Sequence, residues 1–293
     1  MRVLTHTVEP RDEGRRLGRV IASRLFISVH LLRTLKAQDG ILLDGEAAHT
    51  DRIVRAGQVI TLVLERGGTE RTGDPGALRV PYIDADLLIV DKEAPLPTLP
   101  SRHQSGETLR EQTMRYLGEA EPYTFRPVNR LDKGTSGLMA VARNAHAQQQ
   151  MARMLHTDAF VREYLAVVQG IPAQPQGVID APIARVPGET VRRCVEEGGQ
   201  AARTQFCVLQ TGDARALVRL RLFTGRTHQI RVHLAHIGCP IVGDYLYGRE
   251  EASLPGRFAL HSAYLSLRQP VTGEKIEIKS ALPQALRCLL DAR

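Results

Sequence analysis

The stretch RPVNRLDKGTSGLMAVAR, residues 126–143, sets Asp132 between two cations, Arg130 and Lys133. Neighbouring positive charge favours a charged carboxylate. A charged carboxylate is a nucleophile or a base and a poor acid. The Gly-Thr-Ser-Gly turn that follows and the apolar run LMAVA read as a loop backed by a buried strand, which is where reactive side chains are held in place. The plainer alternative is a turn aspartate. Tyr164 lies in VREYLAVVQG, a strand pattern. A strand tyrosine packs its ring in a half-buried sheet. Arg226 follows the Thr224-Gly225 turn and opens a helical pattern. Arginine makes a two-pronged pair with a carboxylate, so Arg226 is a candidate partner for Asp132, against the alternative of a surface arginine.

His228, His233 and His236 invite a metal reading. On a helix, residues five apart diverge by about 140°, so only His233 and His236 share a face. No cysteine lies at ligand spacing, and no metal site is expected.

These groups need elements to position them. Val218, Leu220 and Leu222 alternate with Arg219 and Arg221, as in a strand with one buried face. Ile230, Leu234 and Ile237 then recur at helical spacing from a start near Thr227, and Gly238 and Pro240 end that helix. Asn144 can cap AHAQQQMARMLH. Upstream, YIDADLLIVDKEA reads as strand, turn and strand, PLPTLPSRHQSG as a loop and ETLREQTMRYLG as a short helix.

The N-terminal part reads as a separate small unit. A basic helix is expected from about Asp12 to Leu25, weakened by Gly14 and Gly18. Ser28 reads as the cap of VHLLRTLKAQD, in which Val29, Leu32 and Leu35 form an apolar row. His30, Arg33 and Lys36 form a polar row beside it, and Gly40 a C-terminal stop. Asp44-Gly45 signals a hairpin and VRAGQVITLVLE a closing strand. Residues 66–79, RGGTERTGDPGALR, read as a linker. The division expected is 1–65, a linker over 66–79, and a catalytic domain over 80–293.

The 293 residues carry a net charge of +7, and the pI is about 9.5. That surplus favours a polyanionic partner, nucleic acid first. The N-terminus is charged and lacks an apolar segment, so no signal peptide is expected. No run approaches about 18 apolar residues, so no membrane span is expected. The four scattered cysteines suit a reducing cytosol, and a cytoplasmic location is expected. The absence of tryptophan argues against a stacking platform for single strands.

Three motifs then carry a resemblance. RPVNRLDKGTSGLMAVAR resembles the signature of the RluA-type pseudouridine synthases through Arg130, Leu131, Asp132, Thr135, Ser136, Gly137 and Leu138. Asn129 departs from it, standing where the family has histidine. Arg162, Tyr164, Ala166, Val168 and Gly170 fit the family's second motif, and Gly225 to His233 match its third without a gap. DKEAPLPTLPSR departs from the usual Lys-Pro-x-Gly, keeping Lys92 but not the residues after it. SVHLLRTLKAQDGILLDGEAAHTDRIVRAGQVITLVL resembles the small S-four-like RNA-binding module, with Gln58 in place of a frequent acidic residue.

The resemblance implies an α+β fold. It consists of a mixed, mainly antiparallel sheet with flanking helices, preceded by a helix-helix-hairpin RNA-binding domain. It implies isomerisation of uridine to pseudouridine in RNA, ribosomal RNA before tRNA, with no cofactor and no metal. Asp132 is the implied essential carboxylate, Tyr164 the ring over the target uracil and Arg226 the partner of Asp132. Arg130 fills the place of the flipped nucleotide. Ile230 and Lys92 are expected to contact substrate, and Arg33 and Lys36 to contact RNA phosphates. A monomer is expected. The rival readings are a non-catalytic RNA-binding or ribosome-assembly factor on the same scaffold, and an N-glycosidase that would release free uracil.

Overall fold

The structure, a computed structural model, describes residues 2–27, 29–65, 76, 78–101, 106–155 and 157–290. The expected Ser28 cap lies outside them, as does the expected linker apart from Gly76, Leu78 and Arg79.

The first 65 residues build β1 (Arg2–Thr7), α1 (Leu17–Arg24), α2 (Val29–Ala37), β2 (Ile41–Leu43), β3 (Glu46–Ala47) and β4 (Val59–Glu65). The strands form one antiparallel sheet in the order β1-β4-β2-β3. Strand β1 is additional to the sequence expectation, because its RVLTHT run carries too few apolar residues to announce a strand. The expected helix over 12–25 is shorter. Gly14 sits at φ +77, and the N–H groups of Gly14 and Leu17 turn to the carbonyls of Val54 and Arg52 at 2.9 and 2.7 Å. Asp12 is fully buried there and pairs with Arg15 and Arg24, which hold its carboxyl down at about 2. Asp39, at φ +49, takes the left-handed position after α2 in place of Gly40. The Asp44-Gly45 turn has both residues at positive φ, as a tight hairpin requires. Leu17, Ile21, Leu35, Ile41, Ile60 and Leu62 form the core of this part, whereas Val29 is exposed.

The remainder is organised on one large sheet. Its strands are β5 (Arg79–Ile83), β6 (Leu87–Lys92), β7 (Arg126–Pro127), β8 (Ser136–Ala142), β9 (Phe160–Gln169), β10 (Gln176–Asp180), β13 (Arg203–Thr211), β14 (Arg215–Leu222), β15 (Leu260–Arg268) and β16 (Lys275–Lys279). β11 (Ile183–Arg185) and β12 (Arg193–Val195) form a separate two-stranded ribbon. The order is β10-β13-β14-β9-β15-β8-β6-β5, with β16 beside β15 and β7 beside β8. Among the described residues one pair of strands, β8 and β15, is parallel, so the sheet is mixed and mainly antiparallel.

Helices α3 (Leu109–Leu117), α4 (Ala145–Met154), α5 (Gln229–His236) and α6 (Gln284–Arg287) flank it. Thr108 and Glu111 cap α3 reciprocally, and Asn144 Oδ1 accepts from Ala147 N–H at 2.9 Å to start α4. Leu88, Val90, Met139 and Val141 pack on one face of the sheet, and Leu87, Ile89, Leu138 and Ala140 on the other. Burial on both faces explains why β6 and β8 read as unbroken apolar runs. The two parts of the chain touch at α4, where the Arg153 guanidinium lies 3.8 Å over the Phe26 ring.

The parallel pairing fixes the strand behind Asp132. Ser136 and Gly137 sit opposite His261 and Ser262. Gly137 has φ +106, and a Cβ there would stand 2.3 Å from the Ser262 carbonyl oxygen. Gly137→Ala combines left-handed strain with a backbone collision, so it should cost about 3 kcal/mol or more of stability in a urea titration. A cost below about 1 kcal/mol would mean that the two strands are not held this close.

Candidate active site

Asp132 lies in the loop between β7 and β8, and its side chain is 30% exposed. The loop is tied down from behind. Thr98 donates its hydroxyl to Leu131 O at 2.8 Å, and Leu96 N–H donates to Lys133 O at 3.0 Å. Asn129 is buried and accepts Ala140 N–H at 3.1 Å, so it shapes the loop.

Lys92 completes this support and corrects an expectation. Its side chain is 1% exposed, so it does not contact RNA. Its ammonium donates to the carbonyls of Glu93, Leu96 and Lys133 at 2.9, 2.7 and 3.3 Å. Burial pushes its pKa down to about 7, while the negative charge of Asp132 pulls the other way. Lys92 therefore joins the 93–96 turn to the Asp132 loop from inside the protein.

The cation facing Asp132 is Arg231, and the expected pairing with Arg226 does not form. Helix α5 begins at Gln229, so residue 226 precedes it, and Arg226 Nε donates to Ala201 O at 3.0 Å. Arg231, third in the helix and 3% exposed, holds Asp244 with Nε and Nη2 at 2.7 and 2.8 Å. Its Nη1 donates to Asp132 Oδ2 at 3.1 Å. Asp244 is fully buried and also accepts the N–H groups of Leu246 and Tyr247 at 3.1 and 3.3 Å. The Arg231 guanidinium lies 5.0 Å over the Tyr247 ring and 4.3 Å over the Phe258 ring. The two carboxylates hold its pKa well above the usual arginine value. The guanidinium is thus a fixed positive wall for the Asp132 carboxylate.

His228 is a second neighbour that sequence reasoning passed over except as a metal candidate. It caps α5 in the left-handed region at φ +59, with Nε2 3.9 Å from Asp132 Oδ2. Its Nδ1 is 2.9 Å from the Tyr247 hydroxyl, which accepts Arg193 N–H at 3.0 Å. This contact orients the ring so that its Nε2 faces Asp132. Burial pushes the His228 pKa down, with Asp132 pulling it up. His233 is occupied elsewhere. It donates Nε2–H to Ala181 O at 2.9 Å, and its Nδ1 lies 2.9 Å from Thr204 Oγ1.

Tyr164 is in the middle of β9 and 4% exposed, and burial raises its pKa. Asp132, Tyr164, Arg130, Arg226, His228, Ile230 and Arg231 line one pocket, closed by the apolar side chains of Leu131, Leu222 and Leu260. Of the expected site residues, this pocket gathers Asp132, Tyr164, Arg226, Arg130 and Ile230. Lys92 lies behind it, and Arg33 and Lys36 are exposed on α2.

A half-open carboxylate, held by a buried arginine beside a phenol and an apolar wall, is equipped to attack or deprotonate a substrate delivered from outside, while the phenol and the wall receive a flat ring. The comparisons with known proteins agree with that class of site. The family model described as RNA pseudouridylate synthase matches residues 86–236. An uncharacterized RNA pseudouridine synthase, YjbO of Bacillus subtilis (strain 168), is 36% identical over 273 residues, covering 92% of this chain and 96% of its own. The ribosomal large subunit pseudouridine synthase D of Xanthomonas campestris pv. campestris is 36% identical over 296 residues, covering 95% of this chain and 89% of its own. The solved structure of human RNA pseudouridylate synthase domain containing 1 superposes with a TM-score of 0.57 at 30% identity, covering 72% of this chain and 86% of that one. The chain belongs to the RNA pseudouridylate synthase family, in its RluA-type branch, and is an RNA pseudouridine synthase, an isomerase.

The two arginines should separate cleanly in a stability measurement. Arg231→Met leaves Asp244 buried without its cation and should cost about 3–5 kcal/mol. Arg226→Ala removes a half-exposed side chain and should cost less than about 1 kcal/mol. Urea titrations of both variants give the comparison, and equal losses would overturn the assignment of Arg231 as the buried partner.

Proposed function

We propose that this enzyme isomerises uridine in ribosomal RNA, with Asp132 as its essential carboxylate. The observation that carries the reading is the Asp132–Arg231 pair at 3.1 Å in a pocket shared with Tyr164. The preference for ribosomal RNA rests on relatives whose names specify the large ribosomal subunit. In the reaction the bond between N1 of uracil and C1′ of ribose breaks, and C5 then bonds to C1′. The C5 hydrogen is released as a proton and N1 takes one up, so no electrons are gained or lost and no energy source is needed.

Asp132, held in place by the Arg231 hydrogen bond, either attacks the ribose or takes a sugar proton. Tyr164, kept neutral by burial, stacks on the uracil and relays a proton late in the reaction. Ile230 and the leucines around it exclude water from the ring. A uridine in a duplex is out of reach until flipped, at a cost of a few kcal/mol, and exposed Arg130 fills the gap it leaves.

The same proposal includes the division of labour along the chain. Residues 1–65 act as an S-four-like RNA-binding domain, 66–79 as a linker and 80–293 as the catalytic domain. The separate sheet and separate core of the first 65 residues support it. Arg33 and Lys36, both exposed on α2, would meet RNA phosphates. We take the working form to be a cytoplasmic monomer, in keeping with four free thiols.

Tritium release from RNA labelled at C5 of uridine tests the chemistry. Ribosomal RNA should release it and tRNA should not, and Asp132→Asn should lower the rate by about 100-fold or more while RNA still binds. Free uracil among the products would instead favour a glycosidase.

Reversing two charges tests the N-terminal part. Arg33→Glu with Lys36→Glu should weaken RNA binding and flatten its salt dependence, leaving the rate at saturating RNA near that of the parent. Unchanged affinity would remove α2 from the RNA-binding surface.

A further inference from the structure

We infer that the pocket between the β11–β12 ribbon and the segment leading into α5 binds a backbone phosphate of the substrate RNA next to the target uridine. The inference rests on the reading of this chain as an RNA pseudouridine synthase. It gives Arg226, which does not pair with Asp132, a different task.

The pocket has a volume of about 390 Å³ and is lined by Arg185, Arg193, Arg226, Thr227 and the backbone around Gly198 and Gly199. Arg185 and Arg193 stand directly opposite each other across the ribbon. Two like charges in that register repel. Among the described residues no carboxylate pairs with Arg185, Arg193 or Arg226, although Glu189, Glu196 and Glu197 belong to the same excursion of the chain. The carboxylates are outside the lining and the cations are in it.

Other bonds hold the cations without neutralising them. Arg193 Nη1 donates to the carbonyls of Val191 and Arg192 at 2.9 and 3.1 Å, and Arg226 Nε to Ala201 O at 3.0 Å. Arg185 is exposed. A guanidinium donates in a planar fork that fits the oxygens of a phosphate, and several of them offset a phosphate charge and the mutual repulsion together.

The position selects the source of the phosphate. Arg226 lines both this pocket and the one holding Asp132. Arg193 also donates its backbone N–H to Tyr247, whose hydroxyl meets His228 beside Asp132. A phosphate here would thus sit one pocket away from the base being isomerised. The backbone of the same RNA chain supplies such a group, and its grip would fix the register of the target. Thr227 and the backbone around Gly198 line the pocket without adding charge, which fits a contact that does not read sequence.

The test uses the full chain and a transcript of large-subunit ribosomal RNA, with affinity measured by filter retention between about 50 and 200 mM salt. Arg185→Ala and Arg226→Ala should each lower the slope of log affinity against log salt by about 0.7–0.9, the loss of one phosphate contact. Arg185→Lys should restore the slope. Arg192→Ala, on the same ribbon but outside the lining, should leave it unchanged. Equal slopes for all the proteins, or an equal fall in Arg192→Ala, would overturn the site. Inorganic phosphate provides the second arm. If it raises the melting temperature of the parent but not of Arg185→Ala, while the RNA slopes stay equal, the pocket holds free phosphate and the RNA assignment is wrong. Retention is read without turnover. A protein that binds the transcript but releases no tritium from it therefore counts against the ribosomal substrate, not against the phosphate site.

Discussion

Arg231 is the charge on which the site is built. One guanidinium reaches two carboxylates, a fully buried one at Asp244 and a half-open one at Asp132. The bidentate bond to Asp244 and the rings of Tyr247 and Phe258 fix its plane. What remains is a single donor at a fixed place, and the Asp132 carboxylate comes to it. Burying an ion pair is costly unless every donor and acceptor is used. The two backbone N–H groups on Asp244 meet that condition. The cost of desolvation is thus met on the Asp244 side, and Asp132 stays accessible to substrate.

The residues around the large sheet hold the loop against that donor. Lys92 gathers three carbonyls behind the loop, Asn129 pins its start and Thr98 holds it at Leu131. Gly137 lets β8 lie against β15. These contacts come from the central strands of the sheet, buried on both faces, so small displacements of the loop are resisted by the whole core. A lysine that looks like an RNA contact in the sequence is thus an internal tie.

Local signals in the sequence were reliable where they depend on a few neighbouring residues. The buried run 138–142, the cap at Asn144 and the Asp44-Gly45 turn all follow from short-range chemistry, and all are found. The third motif supplies the cation beside Asp132, but through Arg231 and not the expected Arg226. Helix α5 buries Gln229, Ile230, Arg231, Val232, His233 and Leu234 together. A helix buried all round has no polar stripe from which to read its phase. The left-handed cap at His228 shifts the start of that helix by two residues from the expected Thr227, and only the three-dimensional setting reveals it. Strand β1 escaped notice for the opposite reason: it is a short edge strand whose partner, β4, lies more than fifty residues away.

The parallel pairing of β8 with β15 has a consequence in time. Ser136 and His261, hydrogen-bonded at 2.9 Å, are 125 residues apart in the chain, and Asp132 and Arg231 are 99 apart. Contacts this distant in sequence form slowly, because loop closure precedes any gain from them. The sheet and core of the first 65 residues need nothing beyond β4 for their main contacts. On the ribosome that part can fold while the strands behind Asp132 are still being synthesised. A growing chain would then carry basic α2 on its surface well before Asp132 met Arg231, so the order of synthesis separates the assembly of the basic N-terminal surface from the assembly of the pocket.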